Sequence, residues 1–215
     1  TGTAVPNDGS TATGNDLVIV SSSLTSGSVI ATAGGAKFLR SSVPVIVWES
    51  ALEDDFSFQA AGGATTDAQT QINIVNANHP LAAGFPAGLL TVTTSPQIFS
   101  QGAPVGARIV ATLAADPTLA LLYSYEKGEK GFNGFVMPAR RVFFFFQDNT
   151  PAAVNAAGTK LFDAAVDFAM AVQPNGSTNA PTLPLVLTVG LDDNGWPVGD
   201  GGGANASFVQ ENGTI

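Results

Sequence analysis

The stretch from Arg141 to Val172, RVFFFFQDNTPAAVNAAGTKLFDAAVDFAMAV, limits the fold more than any other part of the chain. Val142 to Phe146 is an unbroken apolar run, too short to cross a bilayer and long enough for a strand buried on both faces. Gln147, Asp148, Asn149 and Thr150 end it with turn chemistry, and Pro151 suits the first turn of a helix. From Val154 onward, Leu161, Phe162, Ala165, Phe168, Ala169 and Val172 recur at the spacings of an amphipathic helix. A buried strand feeding a helix that packs back on it is the unit of an α/β sheet. The fold class expected is therefore α/β, with a mostly parallel sheet, flanking helices and a β-type C-terminal extension.

Composition narrows the partners. Only 12% of the 215 residues are charged, the net charge is −9, and the eight Lys and Arg form no cluster beyond Arg140–Arg141. Nucleic acid and anionic membrane surfaces are poor partners for such a chain, because little is present to neutralise phosphates. The absence of cysteine removes disulfides, thiolate metal sites and cysteine nucleophiles, and leaves the redox compartment undetermined. No apolar run approaches the length of a membrane span.

In chain order, Thr1 to Asn15 reads as a polar loop, and Asp16-LVIV-Ser21 as a buried strand ending in Ser21, Ser22 and Ser23. A helix is expected over 33–41, and a second buried strand over Val43-PVIVW-Glu49, which delivers Glu49, Glu53, Asp54 and Asp55. Residues 56–69 read as a loop, Gln71 to Asn76 and Leu89 to Ser95 as alternating strands, and Arg108 to Leu113 with Leu119 to Tyr125 as a strand pair. Gly131 to Met137 is expected to be a further strand. Residues 173–183 are a linker of Pro, Asn, Gly, Ser and Thr, dividing a domain over 1–172 from a strand extension, or the start of a second module, over 184–215.

The order DLVIVSSS, PVIVWESAL, NIVNANHPLAAGF, ARIVATL, LLYSYEKGE, RVFFFFQDN and LFDAAVDFAM resembles the ThuA-like branch of the class I glutamine amidotransferase-like fold, in the form found as a module in large secreted bacterial proteins. The most specific pieces are His79-Pro80 with Gly84, and Tyr125-Glu126-Lys127-Gly128 ahead of Arg141-Val142-Phe143. The resemblance covers roughly residues 16–172 and implies an amidotransferase/flavodoxin-like sheet. It also implies a strand and helix ahead of DLVIVSSS, where this chain has a loop, so that by comparison both ends are truncated, processed or completed by another chain. A sheet lacking that first unit presents an open edge, which the strand Pro184 to Leu191 can fill in its own molecule or in a neighbour.

Candidate chemistry is sparse. Glutaminase activity is excluded with the cysteine, and the serines at 21–23 lack a G-x-S-x-G elbow, which leaves them as turn residues. The enzymatic set is Glu49, His79, Asp54 and Asp55, with Glu53 beside them; the plainer reading is a solvated acidic loop and a histidine opening a turn. Arg140 and Arg141 are expected to pair with Asp148 or another carboxylate. Asp192, Asp193, Asn194 and Asp200 offer oxygen ligands for calcium without EF-hand spacing, and no other cofactor is implied. Asn175, Asn205 and Asn212 head glycosylation sequons. Trp48, Trp196 and Tyr125 are the stacking platforms of a glycan-binding reading. The reading carried forward is a non-catalytic structural or adhesive module of a secreted or cell-surface bacterial protein, acting as a homo-oligomer or within a larger chain, with strand donation into a filament as its strongest form. Its rivals are a ThuA-like hydrolase or sugar-processing enzyme and a carbohydrate-binding module.

Overall fold

A computed structural model describes residues 9–31 and 34–171, together with the backbone of 186–189. The polyphenylalanine run enters the middle of a sheet, and alternation of side chains across that sheet builds two cores. Strands β1 (Leu17–Val20), β2 (Val45–Val47) and β9 (Arg141–Phe143) run parallel. Beyond β9 the order continues through β8 (Ala120–Tyr125), β7 (Arg108–Leu113), β4 (Gln71–Ile74) and β5 (Gly88–Thr91), every pair antiparallel. Strand β10 (Val186–Val189) closes the other side by lying parallel along β1, Leu17 opposite Val186 and Val20 opposite Val189. A separate ribbon pairs β3 (Ala64–Gln69) with β6 (Gln97–Gln101), with a bulge between Thr66 and Gln69.

The expected fold class is therefore corrected: the chain is mostly β, with a mixed sheet, and not a flavodoxin-like parallel one. The physical reason lies in residues 64–125. Parallel neighbours need a crossover of a dozen or more residues, usually helical. Here β7 and β8 are joined by the short turn through Asp116, and the longer connections 75–87 and 126–140 hold only 3-10 turns in place of a crossover helix and return the chain antiparallel. Among the described residues, the helices are two four-residue turns, α1 (Ser26–Val29) and α2 (Thr150–Ala153), and one longer helix, α3 (Ala156–Met170). Residues 37–40, expected to be helical, form turns, and Gly131 to Met137 holds a 3-10 turn where a strand was expected. The loop expected over 56–69 contains β3. The strand at 186–189 lies where the C-terminal strand was expected.

Helix α3 forms for the reasons its spacing predicts. Asn155 caps it, its Oδ1 accepting the N–H groups of Ala157 and Gly158. Leu161, Ala165, Phe168 and Ala169 form its buried stripe and pack on one sheet face with Ile46, Ile72, Ile74, Val142 and Phe144. On the opposite face Val18, Val20, Val45, Val47, Tyr123, Tyr125 and Phe143 are covered by irregular chain carrying Phe38, Leu52, Phe56 and Phe58. Phe143 to Phe146 are all buried, the first in one core and the other three in the second.

Arg141 is the exception inside this interior. It shares the β9 register with Val45 and is fully buried, yet among the described residues no carboxylate meets it. Nη1 donates to the carbonyls of Val43 and Arg140, and Nη2 to those of Phe38, Leu39 and Ser41. Burial lowers its pKa to about 9, so it remains a cation at neutral pH. The guanidinium thus ties the 38–43 turn to the sheet, and the expected pairing with Asp148 does not form.

Candidate functional site

A concavity of about 700 Å³ lies where β9 begins and α3 ends. Asn76, Asn78, His79, Arg108, Glu126 and Asp167 are among its lining residues. Two ion pairs frame it. Arg108 reaches Glu129 at 2.7 Å, and Arg140 reaches Glu126 at 2.7 Å. Arg140 also donates to the carbonyls of Phe168 and Ala171 at the C-terminal end of α3, and its guanidinium lies over the Phe168 ring. A cation on those last carbonyls satisfies orphan acceptors and complements the helix dipole.

His79 is buried at the base of this cleft, where it opens the 3-10 turn Pro80–Ala82. Its Nδ1 accepts the N–H of Leu81 at 3.2 Å, and its Nε2 lies 3.3 Å from the Ser124 hydroxyl. The first bond needs a lone pair on Nδ1, so the neutral ring carries its proton on Nε2 and donates to Ser124. A base activating a serine would need the reverse. Burial, then the charges of Arg108 and Arg140, hold the His79 pKa below its ordinary value against the pull of Glu126 and Glu129. The contribution of His79 to stability is therefore present above the unfolded-state pKa, near 6.5, and is lost as pH falls through the lower folded value. Imidazole nitrogen NMR at pH 7 is expected to report the Nε2–H tautomer, with the protonation midpoint below 6.5. A titration at the ordinary histidine pKa would refute this assignment.

The enzymatic set is not assembled. Glu49 lies beyond the end of β2, whereas the neighbours of His79 gather where β9 begins; β2 and β9 are parallel, so the two are at opposite ends of the strands. Glu49 caps the turn Ser50–Leu52, its Oε1 accepting the Ala51 N–H. Its pKa is raised by burial and, more weakly, by Asp148. Asp54 is exposed; Asp55 is half-buried, its pKa raised by burial and by Asp54. The serines make a local turn, with the Ser21 hydroxyl 3.0 Å from that of Ser23.

Glu53 overturns the solvated-loop reading. It is fully buried, its Oε2 accepts the Tyr123 hydroxyl at 2.7 Å, and its Oε1 has no partner. In the sequence Glu53-Asp54-Asp55-Phe56-Ser57-Phe58, the two phenylalanines were the signal that this segment turns inward.

The glycan platforms fare poorly. Trp48 is packed edge-on against Phe146 and Phe162, and Tyr125 is fully buried with its hydroxyl bonded to the Val105 carbonyl. Neither presents a ring to a sugar. Trp196, the calcium candidates Asp192, Asp193, Asn194 and Asp200, and the sequons at Asn175, Asn205 and Asn212 lie outside the described residues. Among the described residues, no group of His and carboxylates is arranged to hold a metal, and no helix is long and apolar enough to cross a membrane. Comparisons with protein-family models, with curated proteins and with solved structures found no match, and none identifies a ThuA-like domain.

Proposed function

We propose that this chain is a non-catalytic structural module, working outside the cell or at its surface, which self-associates by exchanging the strand at 186–189 between neighbouring copies. The observation that carries this reading is the β1–β10 pairing. Without β10, β1 would leave the edge of the sheet open along Leu17, Val18, Ile19 and Val20, whose side chains are buried. Such an edge is a template for another strand. The parallel register of Leu17 on Val186 is equally available to the strand of a second copy. Residues 171–185 join α3 to β10, and a chain of that length spans up to roughly 50–54 Å when extended. Its richness in Pro, Asn, Gly, Ser and Thr suits a connector. The low share of charged residues suits an assembling surface.

The lack of native cysteine makes the test direct. Ile19 and Thr188 are register partners. An Ile19→Cys chain and a mass-tagged Thr188→Cys chain, mixed at high concentration and oxidised, should form a mixed disulfide dimer. No mixed dimer, while the Ile19→Cys/Thr188→Cys double variant closes its bond within one chain, would sink the exchange.

A further inference from the structure

We propose that Glu53 is a proton-operated latch: neutral, its carboxyl packs into the seam between the β3–β6 ribbon and the main sheet, and ionised, it drives that end of the ribbon off the sheet. The geometry is that of a fitted group. Gly63 stands immediately before β3 and Gly102 immediately after β6. A Cβ on either glycine would run into the Glu53 carboxyl, which occupies the space their missing side chains leave. Backbone bonds hold the same junction: the Gly63 N–H donates to the Ser50 carbonyl, Gly102 and Ala120 exchange two bonds, and Phe58 N–H donates to the Glu53 carbonyl. The carboxyl therefore sits where the 50–58 turn, β8 and one end of the ribbon, with Ala64 opposite Gln101, meet.

The groups facing it cannot offset a negative charge. From β8 come the Tyr123 hydroxyl, which donates to it, and Tyr125; from its own turn comes Asp54, another acid. From the ribbon come glycines. Among the described residues, the influences on its titration are burial, Tyr123 and Asp54, with no cation among them. An ionised carboxylate there would have one hydrogen bond, one unpartnered oxygen and an aromatic surround of Phe56, Phe58 and Tyr123. Ionisation is relieved if the ribbon lifts and water reaches Oε1.

Burial raises the Glu53 pKa to about 8, with the Tyr123 bond opposing the rise and Asp54 adding to it. A folded-state value above the unfolded one means that stability is full below about pH 4.5 and is lost as pH rises through about 8. The shift corresponds to a loss on the order of a thousandfold in the equilibrium that keeps the latch closed.

Hydrogen exchange on the full chain at pH 5 and pH 9, corrected for intrinsic rates, reads this out. Wild type is expected to lose protection at the bridging amides of Gly63, Ser100, Gly102 and Ala120 at pH 9 while β2 and β9 stay protected, and Glu53→Gln to hold them at both pH values. Equal pH dependence in wild type and Glu53→Gln, or a loss spread evenly over all strands, would overturn the latch. If Glu53→Gln does not fold, carboxyl carbon NMR of Glu53 in wild type decides alone. Titration near pH 8 supports the latch, and titration near pH 4.5 removes it.

Discussion

Arg141→Met is expected to lower the unfolding free energy by about 4 kcal/mol, read as a fall in the urea midpoint at unchanged slope. The estimate rests on what the methionine would leave behind. Five carbonyls converge on the guanidinium, and two of them have a further donor: Phe38 accepts the Ser41 N–H, and Arg140 accepts the Val45 N–H. The carbonyls of Leu39, Ser41 and Val43 would be left bare, each at about 1–3 kcal/mol if water cannot reach it. Arg141→Lys should fall between the two, because one ammonium with three donors cannot reach the span that a planar fork covers. A lysine variant as stable as wild type would show that charge alone, and not the fork, secures the 38–43 turn.

Gly158→Ala should destabilise the chain by about 1–3 kcal/mol, against the usual sign for a glycine inside a helix. In an open helix the change gains about 0.5–1 kcal/mol, since alanine restricts the unfolded chain and glycine does not. Gly158 is not in an open helix. It lies in the first turn of α3 against the segment that follows β5, and a Cβ there would collide with the Val92 carbonyl and crowd Val154 at 3.2 Å. That carbonyl also accepts the Asn155 N–H, so it cannot swing away without cost to the helix cap. Thermal unfolding of the single variant decides the sign. A rise in midpoint would mean that α3 rides farther from the sheet than described.

How much of this was legible in the sequence follows from which signals were local. The apolar runs at 17–20, 45–47 and 142–146 and the period of α3 need only neighbouring residues to be read; β1 and β2 lie where their patterns put them, whereas β9 takes only Arg141–Phe143, leaving Phe144 to Phe146 beyond the strand, and the helix expected from Pro151 is broken into α2 and α3. Strand direction was not legible, because a buried run such as Ala120 to Tyr125 looks the same whether its neighbours run with it or against it. The connections decide that, and the short Asp116 turn pointed to a hairpin without revealing that the sheet would continue antiparallel. Strand β3 was hidden for another reason: Ala64-Thr-Thr-Asp-Ala-Gln69 is mostly exposed and carries no apolar alternation. The candidate site was less readable still. His79 was visible as a residue, but its tautomer depends on Leu81 and Ser124, the second being distant in sequence. Glu53 was misjudged because adjacent acids usually face water, and nothing local announces the two glycines that make room for it.

The pairing of β10 with β1 joins the last described segment of the chain to one of the first. During synthesis, roughly 170 residues are added between the two strands, which at cellular elongation rates takes on the order of ten to thirty seconds. Through that interval β1 has only β2 to pair with, and its other edge is within reach of chains emerging from neighbouring ribosomes on the same message. Whether copies end up joined or separate would then be decided by polysome spacing as much as by affinity.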